Sequence, residues 1–236
     1  VTRKLAPHAK AVSVAFEIAD KFIKNKNLYV NGNPIRPQFK TLSKEDARKN
    51  MNLKDKLTVC IMGGSQGART INDASVLILK KLSLEFDVQI IFQTGKKNFN
   101  KVIEQITKVY PEYENDTNII VRPYFKDMVT VLKASDIAVS RAGSLSLSEI
   151  EAAGLASILV PYPYAAADHQ RKNAKYMVEK GASLYLEDSD TTDQSLFALL
   201  EKLITNSDEL KKLQSNALKL AKYDGVTKIA EQLRGI

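Results

Sequence analysis

Two glycine-bearing stretches carry residue types suited to binding an anion: Gly63-Gly64-Ser65-Gln66-Gly67-Ala68-Arg69 and Ser140-Arg141-Ala142-Gly143-Ser144-Leu145-Ser146-Leu147-Ser148-Glu149. Each follows an apolar run and leads into a segment of helical period. Glycine there lets a ligand approach the backbone, and a helix N-terminus offers N–H groups with no internal partner. Three chemistries fit the first stretch unequally. A dinucleotide fingerprint fails because Met62 stands where the first glycine belongs and the next strand ends Gln93-Thr94, without an acid for a ribose. A nucleophile elbow, Gly63-x-Ser65-x-Gly67, has Asp136 and His169 in the right chain order. Yet a strand and several helices follow His169, and no oxyanion loop of the His-Gly-Gly-Gly type is present. A phosphate- or sugar-binding turn is the reading preferred. In the second stretch, Ser146-x-x-Glu149 matches a capping box, which would explain both residues structurally. Glu149, read as lying in the first helical turn, could instead accept hydrogen bonds from a ribose diol.

A third stretch, Pro161-Tyr162-Pro163-Tyr164, leads into Asp168-His169-Gln170-Arg171-Lys172-Asn173. Gln170 and Asn173 are three apart, share a helix face, and could both read a polyhydroxyl ligand, although polar residues at a helix start are commonly caps or solvated. Paired carboxylates and an Asp-x-Asp metal element are not evident in these three stretches, so metal-assisted chemistry has no support. One cysteine, Cys60, and two histidines, His8 and His169, leave no basis for a disulfide framework or a Cys/His metal cluster. No metal and no other cofactor is expected.

The elements that must position these residues follow from hydrophobic periodicity. Apolar runs at 57–62, 88–92, 118–121, 136–139, 157–160 and 183–186 alternate with helical patterns at 71–82, 97–109, 128–134, 147–153 and 173–179. That alternation implies an α/β fold, a Rossmann-like parallel sheet with helices on both faces. Helical patterns follow at 193–204, 207–222 and 226–233. The first 40 residues differ: a strand at 11–16, a short helix at 17–22 and a strand at 28–30, then Gly32-Asn33-Pro34-Ile35-Arg36-Pro37, which reads as a linker. Two strands and one helix cannot bury a core alone. They read as the tail of a neighbouring domain.

The 236 residues carry 35 Lys and Arg against 27 Asp and Glu, a net charge of +8, and 44% of them are hydrophobic. That composition is ordinary for a globular chain long enough to bury a core. No apolar run approaches the ~18 residues of a membrane-spanning helix, and the first stretch shows no secretory signal; the single cysteine, Cys60, fits a reducing cytoplasm. The whole net charge resides in residues 1–56, with 13 basic and 5 acidic side chains, while the remainder is neutral. A basic quarter on a neutral body suggests an anionic partner such as a phosphate-bearing lipid surface, unless it is simply a solvated face. Nucleic acid is not expected, because no basic motif interleaved with aromatic residues occurs there.

Taken together, the first glycine loop with Asn72, the run from Ser140 to Glu149, Asp168-His169-Gln170 with Asn173-Ala174, and Gly32-Asn33-Pro34-Ile35-Arg36 resemble the MurG family of N-acetylglucosaminyltransferases, in order and spacing over nearly the whole chain. These are two-domain GT-B enzymes of glycosyltransferase family 28. The resemblance implies transfer of N-acetylglucosamine from UDP-N-acetylglucosamine to lipid I, the undecaprenyl-pyrophosphoryl-MurNAc-pentapeptide, giving lipid II for peptidoglycan at the cytoplasmic face of the membrane. It implies that Arg36 and Ser65 contact the donor. Ser144, Leu145 and Ser146 through Glu149 would form the nucleotide loop, with Glu149 on the ribose, while Gln170 and Asn173 hold sugar hydroxyls. Uracil would sit near Arg122, Pro123, Tyr124, Phe125 and Met128. The family's N-terminal glycine loop with its histidine has no counterpart in this sequence. The catalytic base and the site for the lipid-linked acceptor are therefore expected in a missing N-terminal domain.

The expected organisation is then residues 1–40 as the tail of that domain and linker, 41–222 as the donor-binding domain, and 223–236 as a C-terminal helix. The GT-B C-terminal half, peripheral on an anionic membrane surface, is the leading expectation. A non-catalytic nucleotide-sugar-binding subunit with a separate acceptor partner, or a related glycolipid synthase, are the alternatives.

Overall fold

A computed structural model describes residues 2–235. Val1 and Ile236, the outer limits of the first and last expected segments, lie outside the described residues. The chain opens with a short helix α1 (Thr2–Leu5), strand β1 (Val12–Val14), a 3-10 turn at Glu17–Lys21 and strand β2 (Leu28–Val30). β1 and β2 pair in parallel, Val12 opposite Leu28 and Val14 opposite Val30. After the linker come two short helices, α2 (Gln38–Thr41) and α3 (Lys44–Asn50), which the hydrophobic pattern does not reveal. Their buried residues are few, Phe39 in α2 and Ala47 in α3, so no apolar period forms. One local signal was present: Ser43 caps α3 by accepting from the Asp46 N–H at 3.0 Å, the start of a Ser-x-x-Asp box.

The remainder alternates as the sequence implies: β3 (Leu57–Met62), α4 (Arg69–Glu85), β4 (Val88–Gln93), α5 (Phe99–Val109), β5 (Ile119–Arg122), α6 (Met128–Ala134), β6 (Ile137–Ser140), α7 (Ser144–Ala153), β7 (Ala156–Leu159), α8 (His169–Glu179) and β8 (Ser183–Tyr185). Three helices close the chain: α9 (Asp193–Thr205), α10 (Ser207–Leu220) and α11 (Gly225–Arg234). The six strands β3 to β8 form one sheet in the order β5-β4-β3-β6-β7-β8, with every pair parallel. That is the doubly wound order, which reverses direction between β3 and β6.

Both faces of the sheet are covered, and successive residues of each strand serve different layers. Val59, Ile61, Ile90, Phe92, Ile137 and Val139 pack with α4, α5 and α9. Cys60, Met62, Ile91, Ala138 and Leu159 pack with α6, α7 and α8 on the opposite face. Phe16, Ile35 and Phe39 join this second layer, so the N-terminal segment packs on the domain that follows it. Burial pushes the Cys60 thiol up to about 12, which leaves it an inert core residue at neutral pH.

The amino-terminal edge of the sheet is fastened by one carboxylate. Asp136, level with Thr58, accepts the Thr58 N–H at 2.7 Å, Arg48 Nη2 at 2.9 Å and the Lys44 ammonium. Arg48 also donates to the Lys56 carbonyl at 2.7 Å and the Ala134 carbonyl at 3.3 Å, so α3 clamps β3 to β6. Removing the carboxylate leaves a mostly buried guanidinium and a buried N–H without an acceptor. Asp136→Ala should therefore lower stability by about 3 kcal/mol in urea unfolding. A loss below about 0.5 kcal/mol, the range of ordinary surface substitutions, would show that the clamp contributes nothing.

Candidate functional site

In a doubly wound sheet the connections leaving β3 and β6 run to opposite faces, and a crevice opens between them at the carboxyl edge. Both glycine-bearing stretches lie at that crevice. In the first, the Gly67 N–H donates to the Gly64 carbonyl at 3.0 Å, with φ of +82° at Gly64 and +76° at Gly67. A Cβ on Gly67 would stand 2.1 Å from the Thr94 carbonyl oxygen, whereas one on Gly64 would meet nothing within 4 Å. Gly67 thus seats the turn on the neighbouring loop, and Gly64 leaves its outer side open. Ser65, between them, is exposed. Beneath the turn, buried Gln93 accepts the Phe125 N–H at 2.9 Å and donates to the Gly64 carbonyl at 3.4 Å. Gln93 therefore joins the glycine turn to the region expected to hold uracil, where the Phe125 N–H is already engaged.

The second stretch corrects two expectations. α7 begins at Ser144 with Gly143 as its N-cap and no side-chain cap, so Ser146 is its third residue and no capping box forms. Glu149 consequently lies in the second turn, not the first. The N–H groups of Ser144, Leu145 and Ser146 have no partner within the helix and none from a capping side chain, which leaves them for a ligand. α4 and α8 likewise start without a side-chain cap, as does α5, whose Asn98 amide instead donates to the Gln66 and Thr94 carbonyls. By contrast α3, α6, α9 and α10 are capped by Ser43, Asp127, Thr192 and Asn206.

Glu149 is half-buried, and that burial pushes its carboxyl above the usual range while the nearby Arg36 guanidinium opposes the shift. Arg36 also approaches Asp127, at 4.0 Å. Arg36 and Glu149, 113 residues apart in sequence, are thus brought together. Ser144 and Asn173 both line a cavity of about 540 Å³, whose wall also includes Phe16, Ile18 and Ile23 of the N-terminal segment. Ser65, Leu145, Ser146, Gln170, Arg36 and Glu149 lie outside that lining. Leu145 is exposed at the helix start.

The third stretch is tied to the second. Asn173 donates through Nδ2 to the Ala142 carbonyl at 3.2 Å, so its amide holds the loop that precedes α7. Gln170 accepts the Tyr162 N–H at 3.0 Å, which leaves its Nε2 to donate. His169 lines the cavity with its Nδ1 2.7 Å from the Ala166 carbonyl. Ala167 and Asp168 adopt left-handed φ values of 54° and 56°, a strained turn immediately before α8. Arg141, unassigned from the sequence, donates to the Val160 and Pro161 carbonyls at 3.1 and 3.2 Å and pairs with Asp188, fixing the start of the loop after β7. Its position two residues after the apolar run at 136–139 was the available signal.

The elbow reading does not survive this geometry. Ser65 lies beyond the carboxyl end of β3, whereas Asp136 is at the amino end of β6, with Met62 paired to Ser140. A strand of that length separates them by about 13 Å at ~3.3 Å per residue.

Comparison with known proteins places these features in context. The profile of the glycosyltransferase family 28 C-terminal domain matches residues 58–233. Similar curated proteins include the UDP-N-acetylglucosamine–N-acetylmuramyl-(pentapeptide) pyrophosphoryl-undecaprenol N-acetylglucosamine transferases of Desulforamulus reducens and of a Thermoanaerobacter species. The first is 35% identical over 96% of this chain and 62% of its own length, the second 37% identical over 98% and 63%. The chain thus spans about three-fifths of the length of these relatives. The crystal structure of Acinetobacter baumannii MurG superposes with a TM-score of 0.77 at 26% identity, covering 99% of this chain and 62% of that one.

One acidic residue near the site was not anticipated. Glu151, on the α7 face that also carries Ser144 and Ser148, is only 3% exposed, and its Oε1 has no hydrogen-bond partner. Burial raises its pKa to about 8, with Lys222 opposing. A carboxyl whose folded pKa lies above its unfolded value stabilises fully below about 4.5, and that contribution is lost as pH rises through about 8. The loss is on the order of 5 kcal/mol. Glu151→Gln keeps the side-chain size and removes the titration, and any cost of its buried amide is independent of pH. Stability measured from pH 5 to 8.5 should therefore fall more steeply for the unsubstituted protein than for Glu151→Gln; parallel curves would disprove the assignment.

Proposed function

Because the chain belongs to the family of glycosyltransferase family 28 C-terminal domains, we propose that it is the donor-binding part of a hexosyltransferase. That enzyme moves N-acetylglucosamine from UDP-N-acetylglucosamine to undecaprenyl-pyrophosphoryl-MurNAc-pentapeptide. The observation that carries this reading is the pair of uncapped helix starts, α4 and α7, facing one crevice at the reversal of strand order, with Glu149 and Arg36 beside it.

The chemistry follows from the charge that develops. An acceptor hydroxyl attacks the anomeric carbon, the bond from that carbon to the diphosphate oxygen breaks, and the electron pair leaves on UDP. Backbone N–H groups at the start of α7 and the open glycine turn stabilise that growing negative charge. They are already oriented and need no reorganisation. Ser65, Ser144 and Ser146 add hydroxyl donors around the diphosphate, with Leu145 contributing its backbone N–H between them. Glu149 accepts from the ribose hydroxyls, Arg36 balances the charge of donor and Glu149, and Gln170 and Asn173 orient the sugar. The proton of the acceptor hydroxyl goes to a base outside this set of residues. Residues 1–40 serve as linker and contact to an acceptor-binding domain, residues 41–222 hold the donor, and 223–236 return to the linker side.

Among the described residues no helix is long and apolar enough to cross a membrane. With the net charge of +8 confined to residues 1–56, the proposed setting is peripheral, on the anionic cytoplasmic face of the membrane, where the lipid-linked acceptor resides.

Titration calorimetry with UDP tests the reading directly, and no heat of binding would end it. Glu149→Ala should weaken UDP by about 1–3 kcal/mol, the value of hydrogen bonds to a charged acceptor. Its melting temperature should hold, since Glu149 caps nothing. Ser65→Ala should keep the fold and weaken UDP by roughly 1 kcal/mol; unchanged affinity would remove Ser65 from the donor contacts.

A further inference from the structure

Asn33, in the segment between β2 and α2, reaches across 111 residues of sequence to α7. Its Nδ2 donates to Ser144 Oγ at 2.8 Å and to Ser148 Oγ at 3.0 Å, so both amide hydrogens are used on one face of that helix. A hydroxyl carries one proton and two lone pairs. With a lone pair of Ser144 Oγ taken by Asn33, its proton is left to donate elsewhere. Ser144 is the first residue of α7, beside the uncapped N–H groups, and it lines the same cavity as Asn33.

The segment holding Asn33 is itself fixed. Asn31 donates to Ser13 Oγ at 3.1 Å and Gln232 Oε1 at 2.8 Å, and Lys222 Nζ donates to the Val30 carbonyl at 3.2 Å. Gly225 packs so closely that a Cβ there would stand 2.8 Å from the Asn33 carbonyl oxygen. Three residues beyond Asn33 comes Arg36, which neighbours Glu149.

We propose that Asn33 is a positioning residue for the donor diphosphate: by occupying a lone pair of Ser144 Oγ, it fixes that hydroxyl as a donor toward the ligand. The proposal rests on the donor-site reading above. It makes the linker part of the nucleotide site, so that a nucleoside diphosphate and the linker conformation bias one another.

The test is UDP affinity by calorimetry on the full chain, with Asn33→Ala and Asn33→Asp each made alone and together with Ser144→Ala. Asn33→Ala should weaken UDP about tenfold, the value of one lost hydrogen bond to a charged ligand. Asn33→Asp, nearly isosteric but unable to donate, should weaken it further, because the Ser144 proton turns to the carboxylate and a negative charge faces the diphosphate. In the Ser144→Ala background, Asn33→Ala should change affinity by less than about twofold, since the group it acts through is gone. A merely structural role predicts the same loss in both backgrounds, and that result overturns the proposal. So does Asn33→Asp binding UDP as tightly as the unsubstituted chain. Should Asn33→Ala fail to melt cooperatively, the comparison of Asn33→Asp with the unsubstituted chain decides the matter. Absence of UDP binding by the unsubstituted chain defeats the donor-site reading and this proposal with it; binding with additive substitutions defeats the proposal alone.

Discussion

Every strand pair in the six-stranded sheet is parallel, and much of the molecule follows from that constraint. A parallel neighbour cannot be reached by a tight turn, so each strand is followed by a crossover, and the following helix starts at the carboxyl edge. The reversal of order between β3 and β6 then places two of those starts, α4 and α7, on either side of one crevice. Four N–H groups at each helix start have no internal partner. At α3, α9 and α10 a capping side chain satisfies part of that need, while α4, α7 and α8 leave it open. The site is therefore an unmet hydrogen-bonding requirement held in place by a rigid sheet, well suited to an anion.

The two edges of the sheet divide stability from binding. At the amino edge, Asp136 gathers Lys44, Arg48 and the Thr58 N–H into a mostly buried, multiply bonded node. Such a node is costly to break and has no access to the crevice. At the carboxyl edge the polar side chains hold loops to one another: Gln93 bridges two loops, Asn173 ties α8 to the Ala142 carbonyl, and Arg141 anchors the turn after β7. These bonds pre-form the crevice and leave the helix starts uncovered.

The linker and the C-terminal helix meet over α7, where contacts from distant parts of the chain converge. Asn31 with Gln232, Lys222 with the Val30 carbonyl, and Asn33 with Ser144 and Ser148 join residues far apart in sequence. Buried Glu151 lies on the same helix face, near Lys222.

The alternation of apolar runs with helical periods was enough to determine the α/β class, the position of each sheet strand to within a residue or so, and the two glycine turns, because burial on both sheet faces imposes a pattern that any reader of the sequence can see. Periodicity placed the starts of α7 and α8 three and four residues late, at 147 and 173 rather than at Ser144 and His169. Those first turns are polar because they face the crevice, and hydrophobic periodicity registers only residues that face a core. The same blindness hid α2 and α3, which bury one residue each. Tertiary structure alone decided that Ser146 is no cap, that Asp136 belongs to the edge remote from Ser65, and that Asn33 completes the first turn of α7. The first rests on where α7 begins, and the other two depend on a strand register and a hydrogen bond between segments tens to more than a hundred residues apart. Such contacts are directional and leave no periodic trace along the chain, so they become visible only when the sheet has brought their partners together.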